Sequence, residues 1–477
     1  MKKVHFHFFE GSLQDIDYIK KNNYMISVPP QPSARSRCFL GRVPAGGGVN
    51  SLFVRLDVED WLTPASTWAL ERLVRLLEER GARVHWAVVG KKARQLVGGG
   101  HGHLLARMAA TGVMGYHSWS HSEHPTLAEE LEPLTPEAAR IRFEERERPG
   151  VDFMARLGAP PRFFTQPGGN WVPEAVGPAG RALGFQAMLS ESWNSYLVPT
   201  AGPMWYGGML YWAPWVDLPK GLLFRLPQPD AQAEGVAALH AAWREGRPAV
   251  VVAHPTELVT AHFWDQDNFG GGRSHGPLRP GRTRPAAAWQ PALDAVARML
   301  DALLGSPGGV HWLTVEEWWD RALPASPTVL DREELTRVLT RDGLGPARLR
   351  CGAASAAELA WALAWMEASG ERRAAVPAVG APTGSWPSGG AEGVLAAQAA
   401  WGHLPARVGG ESLWEWASAA AQRVMGTGVC PAWRDAVRSP TAVHWDWPIF
   451  PPGFSAPRLL AEAERLAWTL KPVQLRV

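Results

Sequence analysis

Cysteine is nearly absent from this chain. Its 477 residues include three, Cys38, Cys351 and Cys430, far apart and with no C-x-x-C pair. Neither a disulfide framework nor a cysteine zinc site is expected from them. Long hydrophobic runs are missing as well, since no apolar stretch approaches the ~18 residues of a membrane span. The opening residues, MKKVHFHFFEGSL, carry lysines but no apolar core long enough for a secretory signal, so the chain reads as cytoplasmic. An excess of one charge is also lacking. Lys and Arg number 48 against 46 Asp and Glu, a formal net charge of +2. That excludes a strong electrostatic pull toward nucleic acid or a membrane surface. Lysine itself is scarce, 8 against 40 arginines, and four of the eight lie in the first 21 residues, which sets that segment apart.

What the chain has is apolar and aromatic. Hydrophobic residues make up 46% of it, enough to bury large cores, and there are 25 tryptophans. A flat ring with one polar N–H suits the C–H face of a sugar, although packing in a core is the commoner fate of a tryptophan. The length predicts about two or three structural units. Residues 1–50, with Pro29, Pro30, Pro32 and Gly46 to Gly48, read as an irregular extension. From residue 51 short apolar runs alternate with helical stretches. SLFVRLDVED (51–60), ARVHWAVVG (82–90), GVMGYHSWSH (112–121), RFFTQPGG (162–169), GFQAMLSES (184–192), GLLFRLPQP (221–229) and PAVVVAHP (248–255) are the strand-like members. About six or seven βα units follow from this, closed as a barrel or open as a wound parallel sheet. Residues 265–285, rich in Gly, Arg and Pro, form a loop long enough to close over a site. Pro324 to Pro327 reads as a linker. Beyond it PARLRCGAASAAELAWALAWMEASG and PARVGGESLWEWASAAAQRVMGTG repeat a strand-like piece followed by a helix. Residues 330–477 are therefore expected to form a small repeat-built α/β domain.

Chemistry concentrates where the apolar runs end. Asp57, Glu59 and Asp60 close the first run; His117 and His121 stand four apart after another, with His124 nearby; His254 ends PAVVVAH. Acids and imidazoles at equivalent strand ends converge on one face of a parallel barrel. Two histidines and a carboxylate suit zinc or a related divalent ion.

This order of segments resembles the NodB-type polysaccharide deacetylases over roughly residues 51–320. RLDVEDW (55–61) is similar to the family's acidic first motif, VHWAVVG (84–90) to its second strand, HSWSH (117–121) to its H-[ST]-x-x-H metal motif, FFTQPGG (163–169) to R-x-P-x-G, and VVVAHP (250–255) to its closing L-x-H. The resemblance implies a distorted (β/α)7-type barrel over 51–323 and a hydrolase of carbon–nitrogen bonds that removes N-acetyl groups from an amino-sugar polymer or oligosaccharide. It implies Asp57 as general base and His254 as general acid. The metal, zinc with cobalt or manganese as substitutes, would be held by His117, His121 and one of Glu59 or Asp60. Gln166, Pro167, Trp171 and Trp193 are the implied substrate contacts. One position departs from the pattern. The family's arginine in R-x-P falls at Thr165, so the base needs another partner, with Arg162 and Gln166 as candidates. A carbohydrate is the expected partner, with no nucleic acid and no membrane span; the sequence is silent on oligomeric state. Two other readings stand beside this one. One is a catalytically weak carbohydrate-binding protein on the same fold, and the other an amidohydrolase of a small non-sugar amide.

Overall fold

The computed structural model describes residues 50–168, 170–191, 202–219, 221–269, 278–323, 328–377, 379–426, 449–450 and 453–476. Trp193, one of the expected substrate contacts, lies outside them, as does the extension before residue 50.

The first strand, β1 (Asn50–Val58), shows how the sequence builds the fold. Its side chains alternate between two faces, as in any strand. Leu52, Val54, Leu56 and Val58 join the large core that packs against the helices, while Phe53 belongs to a second, inner cluster. Arg55 and Asp57 share the face of Phe53 by the same period of two. A near-continuous apolar run with two polar residues on one face is thus a strand buried on both sides, its inward face turning chemical toward its C-terminal end.

Parallel strands β2 (Val84–Val88), β3 (Gly112–Tyr116), β4 (Phe163–Phe164) and β5 (Ala187–Leu189) follow in order across the sheet. A hairpin, β6 (Met204–Tyr206) and β7 (Met209–Trp212), is added beside β5 through β7. β8 (Ala249–Ala253) and β9 (Val310–Trp312) return to pair in parallel with β1. The inward residues Phe53, Ala87, Val113, Phe163, Ala187, Leu210, Trp212 and Val250 meet in one cluster, which only a curled sheet can bring together. Between β7 and β8 there is an irregular closure. The Asp217 N–H donates to the Val250 carbonyl (2.9 Å), and the Asp217 carboxylate accepts from the Val250 N–H (2.8 Å). The architecture is the expected distorted (β/α)7-type barrel.

Two local expectations are corrected. GLLFRLPQP is no strand: Gly221 sits at φ 70° and a short helix, Leu222–Arg225, follows it. The β6–β7 hairpin replaces it as the sheet element. Its turn, Gly207–Gly208, has φ of 56° and 85°, a pair of left-handed residues that only glycines adopt cheaply and that matches the twist of a tight hairpin.

The tail has its own core between Leu330 and Val424. Both repeats fold alike. A two-stranded hairpin, Ala347–Leu349 with Gly352–Ala354 and again Arg407–Val408 with Glu411–Ser412, leads into a helix, Ala356–Ser369 and Leu413–Met425. Each helix opens with a serine–glutamate capping box, Ser355 with Glu358 and Ser412 with Glu415. The expectation of a tail apart from the barrel needs correction for its last part. The helix Pro457–Ala467 packs its Leu459 and Ala463 into the barrel's core, and the strand Lys471–Pro472 pairs antiparallel with β6. The reason is local. The free N–H groups of Arg458 and Leu459 at this helix's start are taken up by the Glu132 carboxylate at 3.0 and 3.1 Å, and Arg458 also bonds Glu174 at 2.6 Å. No helix of the described residues is long and apolar enough to cross a membrane.

Candidate metal centre

The site lies past the C-terminal ends of β1, β3 and β8. After β3 the chain doubles back through a tight loop in which Ser118 (φ 60°) and His121 (φ 52°) both take the left-handed conformation, rare for residues with a side chain. The loop is held from two sides. Ser118 Oγ accepts from the His121 N–H (3.1 Å), and the first N–H groups of the helix Gly90–Gly98 donate to the carbonyls of Ser118 (3.0 Å) and Trp119 (2.9 Å). Gly90 is required there, because a Cβ would lie 2.4 Å from the Trp119 ring. Strained backbone held by its surroundings is common where side chains must be aimed.

This brings His117 and His121 to the same carboxylate. Glu59 Oε2 lies 3.2 Å from His117 Nε2 and 2.9 Å from His121 Nε2, and all three residues are buried. His117 Nδ1 donates to the Thr165 carbonyl at 2.9 Å, which holds the ring with Nε2 toward Glu59. Thr165 thus contributes through its backbone. Two imidazole nitrogens and a carboxylate oxygen, dry and within reach of one point, fit a divalent ion of the zinc type. Burial raises the Glu59 pKa, but His121 and His254 beside it, with hydrogen bonds from His117 and His121, outweigh this and hold it well below the usual carboxylate range. Burial pushes the His121 imidazole down, yet Glu59 and Asp265 outweigh it and raise it to about 10.

Asp60, the other candidate ligand, points away. Its Oδ1 accepts from the N–H groups of Leu62 (3.1 Å) and Thr63 (2.8 Å), and its Oδ2 from the Thr256 hydroxyl (2.7 Å). It closes the turn into the helix Ala65–Glu79, and burial raises its pKa above the usual value. His124 is likewise turned aside, its Nδ1 2.7 Å from Glu129, which belongs to the capping box of the helix Leu127–Leu131.

Asp57 and His254 face the same carboxylate cluster. His254 Nε2 lies 3.7 Å from Glu59 Oε1 and 3.9 Å from Asp57 Oδ2, and its Nδ1 is 2.8 Å from Glu257. Burial lowers the His254 pKa, but Glu59, Glu257 and Asp57 override it and raise it to about 9. The partner of Asp57 is Arg55. Its Nε and Nη2 donate to the two Asp57 oxygens, each at 2.8 Å, and Nη2 also bonds Glu191. Burial raises the Asp57 pKa, and Arg55, with His117 behind it, overrides that to a net lowering. The candidates offered for this role are corrected: Arg162 is exposed, and the Gln166 amide donates to Ser190 at 2.7 Å.

Of the expected substrate contacts, Gln166 and Pro167 are buried. Trp171 is fully buried in the outer core, its ring 6.4 Å from Tyr206, so it has no face for a sugar. Residues that sequence reasoning missed are Arg55, Glu191, Glu257, Trp264 and Asp265. A signal existed for two of them. Arg55 stands two before Asp57 on one strand face, and Glu257 three after His254 on a turn. Glu191, Trp264 and Asp265 meet the site only through the fold.

No family model matches the chain, and no curated protein does. Solved structures do resemble it. A protein from Mycobacterium smegmatis assigned as a polysaccharide deacetylase is 17% identical, with a TM-score of 0.36 over 58% of this chain and 91% of that one. A family 4 carbohydrate esterase from Streptomyces lividans, solved with acetate, is 14% identical, with a TM-score of 0.29 over 56% and 93%. A CE4 family pseudoenzyme from Bacillus anthracis is 12% identical, with a TM-score of 0.30 over 55% of this chain and 63% of that one, just under two thirds of its length. The structural neighbours are thus polysaccharide deacetylases and carbohydrate esterases of the CE4 kind, a pseudoenzyme among them.

Proposed function

We propose that this chain is a metal-dependent hydrolase of carbon–nitrogen bonds that removes N-acetyl groups from an amino-sugar polymer or oligosaccharide. The observation that carries this reading is the closeness of a carboxylate, Asp57, and an imidazole, His254, to the Glu59–His117–His121 set: His254 Nε2 lies 3.9 Å from Asp57 Oδ2 and 3.7 Å from Glu59 Oε1. A binding protein has no use for a base and an acid beside a metal-ligand set.

Glu59, His117 and His121 would hold the ion, and when bound it lowers the pKa of water and polarises the amide carbonyl. Asp57, kept ionised by Arg55, accepts the proton of the attacking water. Arg55 occupies both oxygens in a bidentate grip and so fixes the carboxylate plane. His254 donates its proton to the departing amine, which is otherwise a poor leaving group. Glu257 orients its ring and favours its charged form. The binding-only reading leaned on Thr165, where an arginine was expected; a cation on the base supplied by Arg55 weakens that ground.

Acetate release from chitooligosaccharides and from peptidoglycan fragments tests the proposal, with zinc, cobalt or manganese added to chelator-stripped protein. Release that depends on metal supports it. No release from either substrate class with any of the three ions, by protein shown to bind metal, would falsify it and leave a carbohydrate-binding role.

A further inference from the structure

We propose that Trp264 and Asp265 are positioning residues that set the metal affinity of this centre, each orienting a different ligand. The inference rests on the metal-set reading above. The two neighbours in sequence reach ligands that come from different parts of the barrel. Trp264 Nε1 donates to Glu59 Oε1 at 2.5 Å, and Asp265 Oδ2 lies 3.4 Å from His121 Nδ1, within ion-pair range but outside hydrogen-bond geometry. Both residues are 0% exposed, and the Trp264 ring also stands 5.5 Å from that of His121.

Asp265 is the more telling of the two. A fully buried carboxylate is costly unless it is paired and hydrogen-bonded. Its hydrogen bonds come from the Ser122 hydroxyl and from Asn268 Nδ2 at 2.9 Å. Among the described residues no lysine or arginine pairs with it, and the group that faces its Oδ2 is the His121 ring, 3.4 Å away. A carboxylate on the Nδ1 side of the neutral ring favours the proton on that nitrogen and so turns the Nε2 lone pair toward Glu59 and the ion. His121 sits on left-handed backbone, and its ring is held between Glu59 at Nε2, the Trp264 ring and Asp265 on the Nδ1 side. Ser122, next to His121, ties the same carboxylate to the loop.

Trp264 does for the carboxylate what Asp265 does for the imidazole. With Oε1 occupied by the indole N–H, Glu59 offers Oε2 to the two histidines. The dipeptide therefore makes Glu59 a one-oxygen ligand and His121 an Nε2 ligand.

The test is zinc affinity of chelator-stripped protein, measured by competition with a chromophoric chelator, alongside the melting temperature of the metal-free protein. Asp265→Ala is expected to weaken zinc binding by roughly 10- to 100-fold, the usual effect of losing such a partner. Asp265→Asn keeps an acceptor oxygen and is expected to recover part of the loss, leaving it roughly threefold to tenfold below wild type. Metal-free melting should move far less than affinity. Zinc binding by Asp265→Ala within about twofold of wild type overturns the proposal. Should that variant not fold, Asp265→Asn decides, and wild-type affinity there overturns it. Trp264→Phe keeps the ring and frees Oε1, so the visible spectrum of the cobalt-loaded protein should change; an unchanged spectrum removes Trp264 from the proposal. His121→Ala separates the two levels. If it still binds stoichiometric zinc, the metal set itself is misassigned. If it loses zinc while the Asp265 variants do not, only the present inference fails.

Discussion

Arg55 is the residue that most changes the picture of this site. It is a buried guanidinium shared between Asp57 and Glu191, and it does from β1 what an arginine near Thr165 was expected to do. The contact of Thr165 with the site is through its backbone carbonyl, to His117. Replacing Arg55 by Lys keeps the charge but not the two-pronged geometry. The expected outcome is a folded protein with kcat lowered by roughly ten- to a hundredfold, the worth of a charged hydrogen bond. Arg55→Met should instead lose about 3–5 kcal/mol of stability in urea unfolding, because two carboxylates are left buried and unpaired. A variant of either kind with wild-type turnover would remove Arg55 from the mechanism. His254→Ala is expected to lower kcat by ~10²–10⁴ while metal content stays stoichiometric. The basic limb of its pH–rate profile should disappear; if it persists, another group is the acid. Asp57, His117, His121 and His254 were legible in the sequence because each ends an apolar run. The choice between Glu59 and Asp60 was not, since adjacent residues beyond a strand end have no fixed face, and only the turn that Asp60 caps separates them.

Among the elements, β2 has a property that pH should expose. His85 is buried in the barrel interior, its ring 4.1 Å from that of Phe53. Nδ1 donates to the Val54 carbonyl and Nε2 accepts from the Val315 N–H, both at 3.0 Å. Both nitrogens are therefore used by the neutral ring. Burial lowers its pKa to about 3, against the partial pull of the Val54 carbonyl. An unfolded histidine titrates near ~6.5. Below that the unfolded chain binds a proton that the folded one refuses. Stability contributed by His85 is thus complete above about pH 6.5 and is lost as pH falls toward about 3. At full slope one such proton is worth about 1.4 kcal/mol per pH unit. His85→Gln, which can still donate and accept, should have a shallower fall of urea-unfolding free energy between pH 7 and 5 by about one proton. Equal slopes for the two proteins would show that His85 does not titrate on unfolding. The strand pattern of V-H-W-A-V revealed that this position is internal, but not that its ring bridges to the backbone ahead of the helix Val315–Arg321. The β6–β7 hairpin has a clear signal in its Gly-Gly turn, but strands of three and four residues are too short to display a period of two.

At the scale of the whole molecule, the barrel was readable as a βα alternation, and the tail as a repeat with matching capping boxes. What the sequence does not display is that the chain crosses back. Pro457–Ala467 carries a polar face that meets Glu132, Glu174 and Arg140 from the barrel, contacts 284 to 327 residues apart along the chain. Lys471 meanwhile bonds Glu358 of the tail at 2.9 Å in a buried pair. The segment is bonded to both cores at once. A chain stopped at residue 456 is therefore expected to lose cooperativity. Removal of Leu459 and Ala463 leaves apolar barrel surface bare, and β6 becomes an open edge that invites aggregation. Circular dichroism melts and light scattering of that truncation check this, and a monomeric protein with a single sharp transition near the full chain's would contradict it.

The pairing of Lys471–Pro472 with β6 also imposes an order on synthesis. A polypeptide leaves the ribosome from its N-terminus, and the two strands lie 265 residues apart, counting from Tyr206 to Lys471. At ~5–20 residues added per second, β6 emerges and then waits roughly 10–50 s for its neighbour. Throughout that interval the growing chain displays an unpaired edge and the bare patch that Leu459 will cover. This is the kind of surface that chaperones bind, and how long it stays bare depends on the distance along the chain to Lys471–Pro472 rather than on the speed at which the barrel can collapse.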